Sequence, residues 1–252
     1  MPDLRIVALS AITAIALIGT TYSVIYDSYL DTSNPLISSL PHPLHKTHYF
    51  ASKSNILNVY FVKFAWSWNS AALIALWTTA KDAIKTKDRI GKWAIATAVF
   101  FLFTVWFFGP AIMERVILAS GGDCIVGLPS GTFLVVPNEY CLTKSTISPS
   151  THPALFSSLL ASQEVANPEW RTRPRLMRGH DVSGHMFLLT MSVLILVDQL
   201  RSSFRDKRES WSVAHRLAVG FNLAVILAWL FGIATTSVYF HSPLEKLTGY
   251  RK

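Results

Sequence analysis

The chain is poor in charge and nearly without cysteine. Lys, Arg, Asp and Glu make up 15% of its 252 residues, against about 25% in a typical soluble domain. Only Cys124 and Cys141 carry thiols, and neither belongs to a Cys-x-x-Cys pair or a Cys/His cluster of zinc spacing. Neither a Walker A loop nor the Asp-x-Asp motif of magnesium-dependent phosphatases occurs, so phosphate chemistry here would be metal-free. The composition excludes a disordered chain and a nucleic-acid-binding tail. Asn-x-Ser/Thr sequons are absent too, which carries no information about compartment. What is present is apolar: 51% of residues are hydrophobic and mean hydropathy is +0.35, beside a net charge of +8.

A membrane-spanning helix needs about 20 mostly apolar residues. Stretches 4–26, 57–80, 93–118, 183–200 and 217–240 meet or approach that length. The first reads as a retained span, because its apolar run exceeds the ~7–15 residues of a signal-peptide core and no clear cleavage site follows. The third is aromatic (Phe100, Phe101, Phe103, Trp106, Phe107, Phe108) as far as Pro110. Residues 125–136 and 153–160 are too short to span and read as re-entrant or interfacial pieces. The expected fold is all-α: a polytopic membrane helix bundle of five clear spans, or six if an early one escapes the count. It forms a single transmembrane domain over 1–252.

Basic residues orient such a bundle, since short cytoplasmic loops gather Lys and Arg. Lys81, Lys85, Lys87, Arg89 and Lys92 lie between the second and third spans. Arg201, Arg205, Lys207, Arg208 and Arg216 lie between the fourth and fifth. Both loops are therefore expected on the cytoplasmic side, which places the N-terminus there and loops 27–56 and 119–182 on the opposite, luminal side. Cys124 and Cys141 then face a compartment that permits a disulfide, though two unpaired apolar cysteines fit equally well. Arg171, Arg173, Arg175 and Arg178 break the charge rule by lying in the luminal loop. Guanidinium groups match phosphate oxygens, so these four can hold a phosphorylated substrate; lipid headgroups or bulk water would suit them equally.

Two histidines stand out by position. His185 opens the fourth span and His241 closes the fifth, and the short connection between those spans makes them antiparallel neighbours. Both imidazoles are thus expected at one membrane face, where a pair can act as nucleophile and general acid. The plainer reading is amphipathic histidine at an interface. Asp181 and Ser183 can orient the histidines or cap the fourth span. Glu245 can hold His241, while Ser242-Pro243-Leu244-Glu245 also reads as a capping box opening a short helix. His42, His45 and His48 form a second cluster, read as a solvated Pro-rich loop rather than a metal site. Pro129-Ser130-Gly131 has the form of a phosphatase motif, but Thr132 stands where a histidine is needed.

The stretch His180-Asp181-Val182-Ser183-Gly184-His185-Met186-Phe187-Leu188-Leu189-Thr190, with Val238-Tyr239-Phe240-His241, resembles the signature of the fat storage-inducing transmembrane (FIT) proteins. These are endoplasmic reticulum membrane proteins similar to lipid phosphate phosphatases. The resemblance implies a hydrolase that splits the diphosphate of fatty acyl-CoA at the luminal face, giving acyl 4′-phosphopantetheine and adenosine 3′,5′-bisphosphate. It implies His241 as nucleophile, His185 as general acid and no cofactor. It also implies a part in lipid homeostasis and lipid droplet biogenesis, with membrane lipids such as diacylglycerol and triacylglycerol as further partners. The phosphatases carry an Arg upstream of the second histidine and an Asp four residues after it; here no such Arg is near, and Glu245 takes the Asp position. The family is described with six spans and cytosolic termini. Only 11 residues follow His241, so either an early span escapes the count or the C-terminus is luminal. Two other functions suit the same spans: neutral-lipid binding without catalysis for droplet budding, and a broader lipid phosphate phosphatase.

Overall fold

Polar residues at the edges of apolar runs decide where the helices begin. The computed structural model describes residues 3–30, 41–104, 110–161, 169–205 and 211–251. Helix α1 (Leu4–Ile25) starts at Asp3, whose carboxylate accepts from the Arg5 backbone N–H at 3.0 Å. The second apolar stretch begins irregularly. Leu57–Phe61 is π-helical and Val62–Phe64 is 3-10, before α2 (Ala65–Thr79) settles into α-helix. Then come α3 (Lys87–Thr104) and α4 (Ile112–Ala119). A strand and hairpin region follows: β1 (Asp123–Gly127), β2 (Phe133–Val136), α5 (Asn138–Leu142), α6 (Pro153–Ala161) and β3 (Arg175–Met177). The chain closes with α7 (Gly184–Arg205), α8 (Val213–Tyr239) and α9 (Pro243–Arg251).

The structure is thus mostly helical, with one departure from the all-α expectation and one from the expected spans. Residues 125–136, read as an interfacial piece, fall within a β-hairpin instead. Ile125, Val126, Val135 and Val136 are β-branched, and the turn between them suits a hairpin. Pro129-Ser130-Gly131 supplies that turn: Gly131 N–H closes on the Leu128 carbonyl at 3.0 Å, and Gly131 adopts φ +85, a value glycine tolerates best. The expected third span, 93–118, is carried by two helices, with Pro110 just before the second. Among the described residues, three helical stretches, Leu4–Ile25, Gly184–Phe204 and Val213–Tyr239, are long and apolar enough to cross a membrane. Trp106, Phe107 and Phe108, and Lys207 and Arg208 of the second basic loop, lie outside the described residues.

Two compact units emerge. The first comprises Met1–Asp31, Ser39–Phe101 and Ser183–Lys252; the second comprises Thr32–Ser38 and Leu102–Val182. In the first, α8 is central and packs on α1, α2 and α7. Trp229, Ile233, Leu189 and Leu196 are buried in its core. Several polar groups inside this apolar bundle are paired across helices. The Trp229 indole donates to Asn69 Oδ1 at 2.8 Å, Asn69 Nδ2 donates to Ser192 Oγ at 2.5 Å, and Asn222 Nδ2 donates to the Ala72 carbonyl at 2.8 Å. Such side chains join helices where the surroundings offer no water. Outward positions stay apolar: Leu17 and Ile18 on α1, and Leu217 and Leu227 on α8, are all well exposed. Acyl chains solvate such a surface without the penalty that water imposes.

The last carbonyls of α8 need partners, as at any helix end. Ser28 Oγ donates to the Val238 carbonyl at 2.9 Å, and Leu30 N–H to the Tyr239 carbonyl at 3.0 Å. Buried His42 completes the set. Its Nε2 lies 2.9 Å from the Tyr239 carbonyl and 3.1 Å from that of Ser28, while its Nδ1 accepts from the Leu44 N–H at 3.0 Å. Two carbonyls on one side and an N–H on the other assign the tautomer: Nε2 carries the proton and Nδ1 is bare. Burial holds the His42 pKa below the ordinary 6.5, with the two carbonyls opposing the shift. His45 Nδ1 faces the His42 carbonyl and His48 Nδ1 faces Thr47 Oγ1. Among the described residues, no group of three or more His, Cys, Asp or Glu side chains is placed to hold a metal.

The second unit holds a three-stranded antiparallel sheet of order β2-β1-β3. Val126, Leu128, Val136, Ile147 and Phe156 form its buried core. A disulfide joins Cys124 in β1 to Cys141 in α5, 17 residues apart. Closing a loop of that size stabilises a fold by about 3 kcal/mol, chiefly by restricting the unfolded chain. Cys124→Ser with Cys141→Ser should therefore loosen this unit selectively. Limited proteolysis should cut first within 102–182 in that variant while the first unit stays protected; an unchanged cleavage pattern would count against the bridge as its main staple. For His42 the sign is fixed by its neutral folded form. The unfolded chain takes up a proton near pH 6.5 that the folded chain resists, so stability falls as pH drops through that value. The melting temperature of detergent-solubilised protein should fall in mild acid, and part of that fall should vanish in His42→Gln.

Candidate active site

Helices α7 and α8 run antiparallel: Met186 of α7 meets Ser237 of α8, and three residues further along α7, Leu189 lies against Gly232. The beginning of α7 and the end of α8 therefore share one end of the first unit. Ser183 caps α7, its Oγ accepting from the Met186 N–H at 3.4 Å, and His185 sits in the first turn. Helix α8 stops at Phe240, and His241 follows with φ +61. That left-handed conformation costs a non-glycine residue about 1 kcal/mol. It turns the chain so sharply that α9 begins two residues later. His185 and His241 lie within electrostatic reach of one another, as do His185 and Lys63.

Glu245 serves two groups at this corner. Its Oε2 accepts from the Ser242 backbone N–H at 2.8 Å, the glutamate half of a capping box, with Pro243 in the first helical position. The same oxygen lies 3.5 Å from His241 Nδ1. The carboxylate is almost fully buried and His241 is 13% exposed, so the imidazole keeps an open edge while its back is held. Glu245 also accepts, through its backbone carbonyl, from the Ser183 N–H at 3.2 Å, which ties the start of α9 to the start of α7. Gly249 allows that approach: a Cβ there would come within 2.5 Å of the Ser183 carbonyl oxygen. Lys246 pins α9 from its other side, donating to Ser23 Oγ of α1 at 2.9 Å and to the Ser237 carbonyl at 2.6 Å. Burial lowers its pKa to about 8, with Glu245 opposing, so it remains mainly cationic at neutral pH.

His185 has its own partner, Asn58 of the π-helical turn, whose Oδ1 lies 3.0 Å from His185 Nε2. Asn58 and exposed Lys63 are site residues that sequence reasoning passed over, because both lie inside a stretch counted as span. The available signal was a polar side chain and a cation within an otherwise apolar run.

The remaining expected residues belong to the second unit. Arg171, Arg173 and Arg175 alternate with less exposed neighbours along extended backbone, and all three are exposed. Arg173 Nε donates to Thr146 Oγ1 at 3.3 Å, and Arg178 pairs with Asp123 at 3.5 Å. Asp181 is half-buried near the end of that unit. Chemically, the corner offers two neighbouring imidazoles, one backed by a carboxylate and one by an amide. That combination suits nucleophilic attack and proton transfer.

The family model for fat storage-inducing transmembrane protein (FIT) matches residues 46–220 and 201–251. The chain is 27% identical over 235 residues to acyl-coenzyme A diphosphatase fit1 of Schizosaccharomyces pombe, covering 93% of this chain and 75% of that protein. It is 25% identical over 219 residues to acyl-coenzyme A diphosphatase FITM2 of Xenopus tropicalis, covering 80% of this chain and 66% of the relative. The FITM2 of Mus musculus is 27% identical over 213 residues, with 80% and 67% covered. No solved structure matches the chain. The matched stretches take in the α7 start, the α8–α9 corner and the irregular turn before α2, and the chain belongs to the fat storage-inducing transmembrane (FIT) protein family.

Proposed function

We propose that this protein is a fatty acyl-CoA diphosphatase, converting acyl-CoA to acyl 4′-phosphopantetheine and adenosine 3′,5′-bisphosphate. The observation that carries the proposal is that His185 and His241 lie at one end of the first unit within electrostatic reach of each other, with Glu245 3.5 Å from His241 Nδ1. The names of the related diphosphatases agree with it. Glu245 beside Nδ1 favours the tautomer with a proton there, which puts the basic lone pair of the His241 ring on Nε2. Nε2 attacks one phosphorus of the diphosphate and the P–O bond to the bridging oxygen breaks. His185, protonated, gives its proton to the departing phosphate. Water then attacks the phosphohistidine, His185 takes the water's proton, and the N–P bond breaks. Each step needs positioning and charge stabilisation more than elaborate covalent machinery.

The proposed setting is the endoplasmic reticulum membrane, with a multi-pass chain of five or six spans and the histidine corner on the luminal side. The two lysine- and arginine-rich loops at the other ends of the spans support that orientation. The acyl chain then stays among the apolar helices while the nucleotide end meets the histidines. Arg171, Arg173, Arg175 and Arg178 are the proposed anchors for the substrate's phosphates; their exposure leaves them accessible to an anion.

Purified protein given oleoyl-CoA should yield both products by mass spectrometry. His185→Ala and His241→Ala should each lower kcat by about 10²–10⁴-fold without changing the melting temperature much. Full activity in either variant would remove that histidine from the mechanism. Phosphatidate preferred over oleoyl-CoA would point instead to a lipid phosphate phosphatase, and triacylglycerol binding without turnover to a lipid carrier. Arg171→Gln with Arg173→Gln should raise KM about tenfold with little change in kcat, the worth of one lost charge-assisted hydrogen bond.

A further inference from the structure

The turn before α2 departs from regular helix where it meets His185. Leu57–Phe61 takes π-helical form and Val62–Phe64 3-10 form, within a stretch whose apolar sequence would sustain ordinary α-helix. Single π turns are rare and concentrate at functional sites. Local polar bonds hold this one in place. Asn55 Nδ2 donates to the Ser52 carbonyl at 2.6 Å, and Asn55 Oδ1 accepts from the Asn58 N–H at 2.8 Å.

Asn58 itself can be oriented without ambiguity. One end of its amide lies 2.6 Å from the Lys53 carbonyl oxygen, which can only accept, so that end must be the nitrogen. The other end, Oδ1, therefore faces His185 Nε2 at 3.0 Å and can only accept as well. It follows that His185 Nε2 carries a hydrogen in both the neutral and the cationic imidazole. Among the described residues, Nδ1 of His185 makes no hydrogen bond to protein. The charged or titratable groups within reach of this imidazole are His241, from the corner between α8 and α9, and Lys63, from the 3-10 turn. Neither is an anion, so the amide oxygen of Asn58 is the acceptor that fixes the ring.

We propose that Asn58 is a positioning residue for the hydrolysis: it holds the Nε2–H of His185 and so assigns proton exchange with the leaving group to Nδ1. This rests on the diphosphatase reading with His185 as general acid. Removing the acceptor frees the ring to rotate about its side-chain bonds, and a misplaced acid loses rate even when substrate binding is intact.

Two substitutions separate this role from a structural one. Asn58→Asp keeps an acceptor for His185 but loses the N–H to Lys53; Asn58→Leu loses both. With oleoyl-CoA as substrate, Asn58→Leu should lower kcat about 10- to 100-fold and leave KM nearly unchanged. Asn58→Asp should keep most of kcat, and the pH of half-maximal rate governed by the general acid should move upward, because a carboxylate now stabilises the imidazolium. Equal impairment of both variants would assign Asn58 a purely structural part, and an unimpaired Asn58→Leu would assign it none; either overturns the proposal. Nitrogen NMR of histidine-labelled protein supplies a reading independent of activity and of variant folding. Comparison with His185→Gln identifies the resonance. A neutral His185 protonated at Nε2 is expected, and protonation at Nδ1 would overturn the inference. A wild-type protein inactive on oleoyl-CoA but showing the expected tautomer would refute the diphosphatase reading alone.

Discussion

The register of the histidine-bearing helices depends on Asn69. Its amide accepts from Trp229 of α8 and donates to Ser192 of α7, so one side chain of α2 is bonded to both. In an apolar bundle, van der Waals contact alone tolerates sliding, because one aliphatic surface resembles the next. A buried indole N–H and a buried hydroxyl do not tolerate it, since each shift strands a polar group at a cost of about 1–3 kcal/mol. Asn69 thus sets α7 and α8 against each other at a fixed height. Both helix ends then reach the same level, with Met186 meeting Ser237 one residue from His185.

From that constraint the corner follows in order. Helix α8 ends where Ser28, Leu30 and His42 take up its last carbonyls. The chain then makes its left-handed turn at His241, and α9 begins under the Glu245 cap. The conformational strain at His241 persists because its surroundings over-determine it. Lys246 and Glu245 fasten α9 to α1, α7 and α8. In the proposed mechanism the nucleophile is thus held in a costly backbone conformation before any substrate arrives, which is what transition-state stabilisation without reorganisation requires.

Much of this frame was legible in the sequence because its signals are one-dimensional. The ends of α7 and α8 follow from long apolar runs and from Ser183 and Pro243, while the Ser212 cap that starts α8 four residues before the expected span was not read. The approach of His185 to His241 follows from two neighbouring helices joined by a short loop. Glu245 was legible in both its parts, since a cap residue four positions after a histidine leaves few other geometries. What could not be read is what depends on side chains meeting across the chain. The contact of Asn58 with His185 joins residues 127 positions apart and passes through a π turn that no periodicity announces. The role of His42 depended on which carbonyls lay nearby, so its nitrogens could not be assigned to a loop, a ligand set or a clamp. The sheet in 123–177 was hidden by its short strands, which resemble interfacial apolar fragments, and by a turn that imitates a phosphatase motif.

The Cys124–Cys141 bridge carries a consequence for how the chain matures. A unit stapled by a disulfide is finished only where thiols are oxidised. In the proposed orientation both cysteines face the lumen, and a chain inserted the other way would present them to a reducing cytosol and keep the 102–182 unit open. Its buried Val126, Ile147 and Phe156 would then be within reach of chaperones and proteases. The staple thereby turns an error of membrane topology into an error of folding, which cellular surveillance already knows how to find.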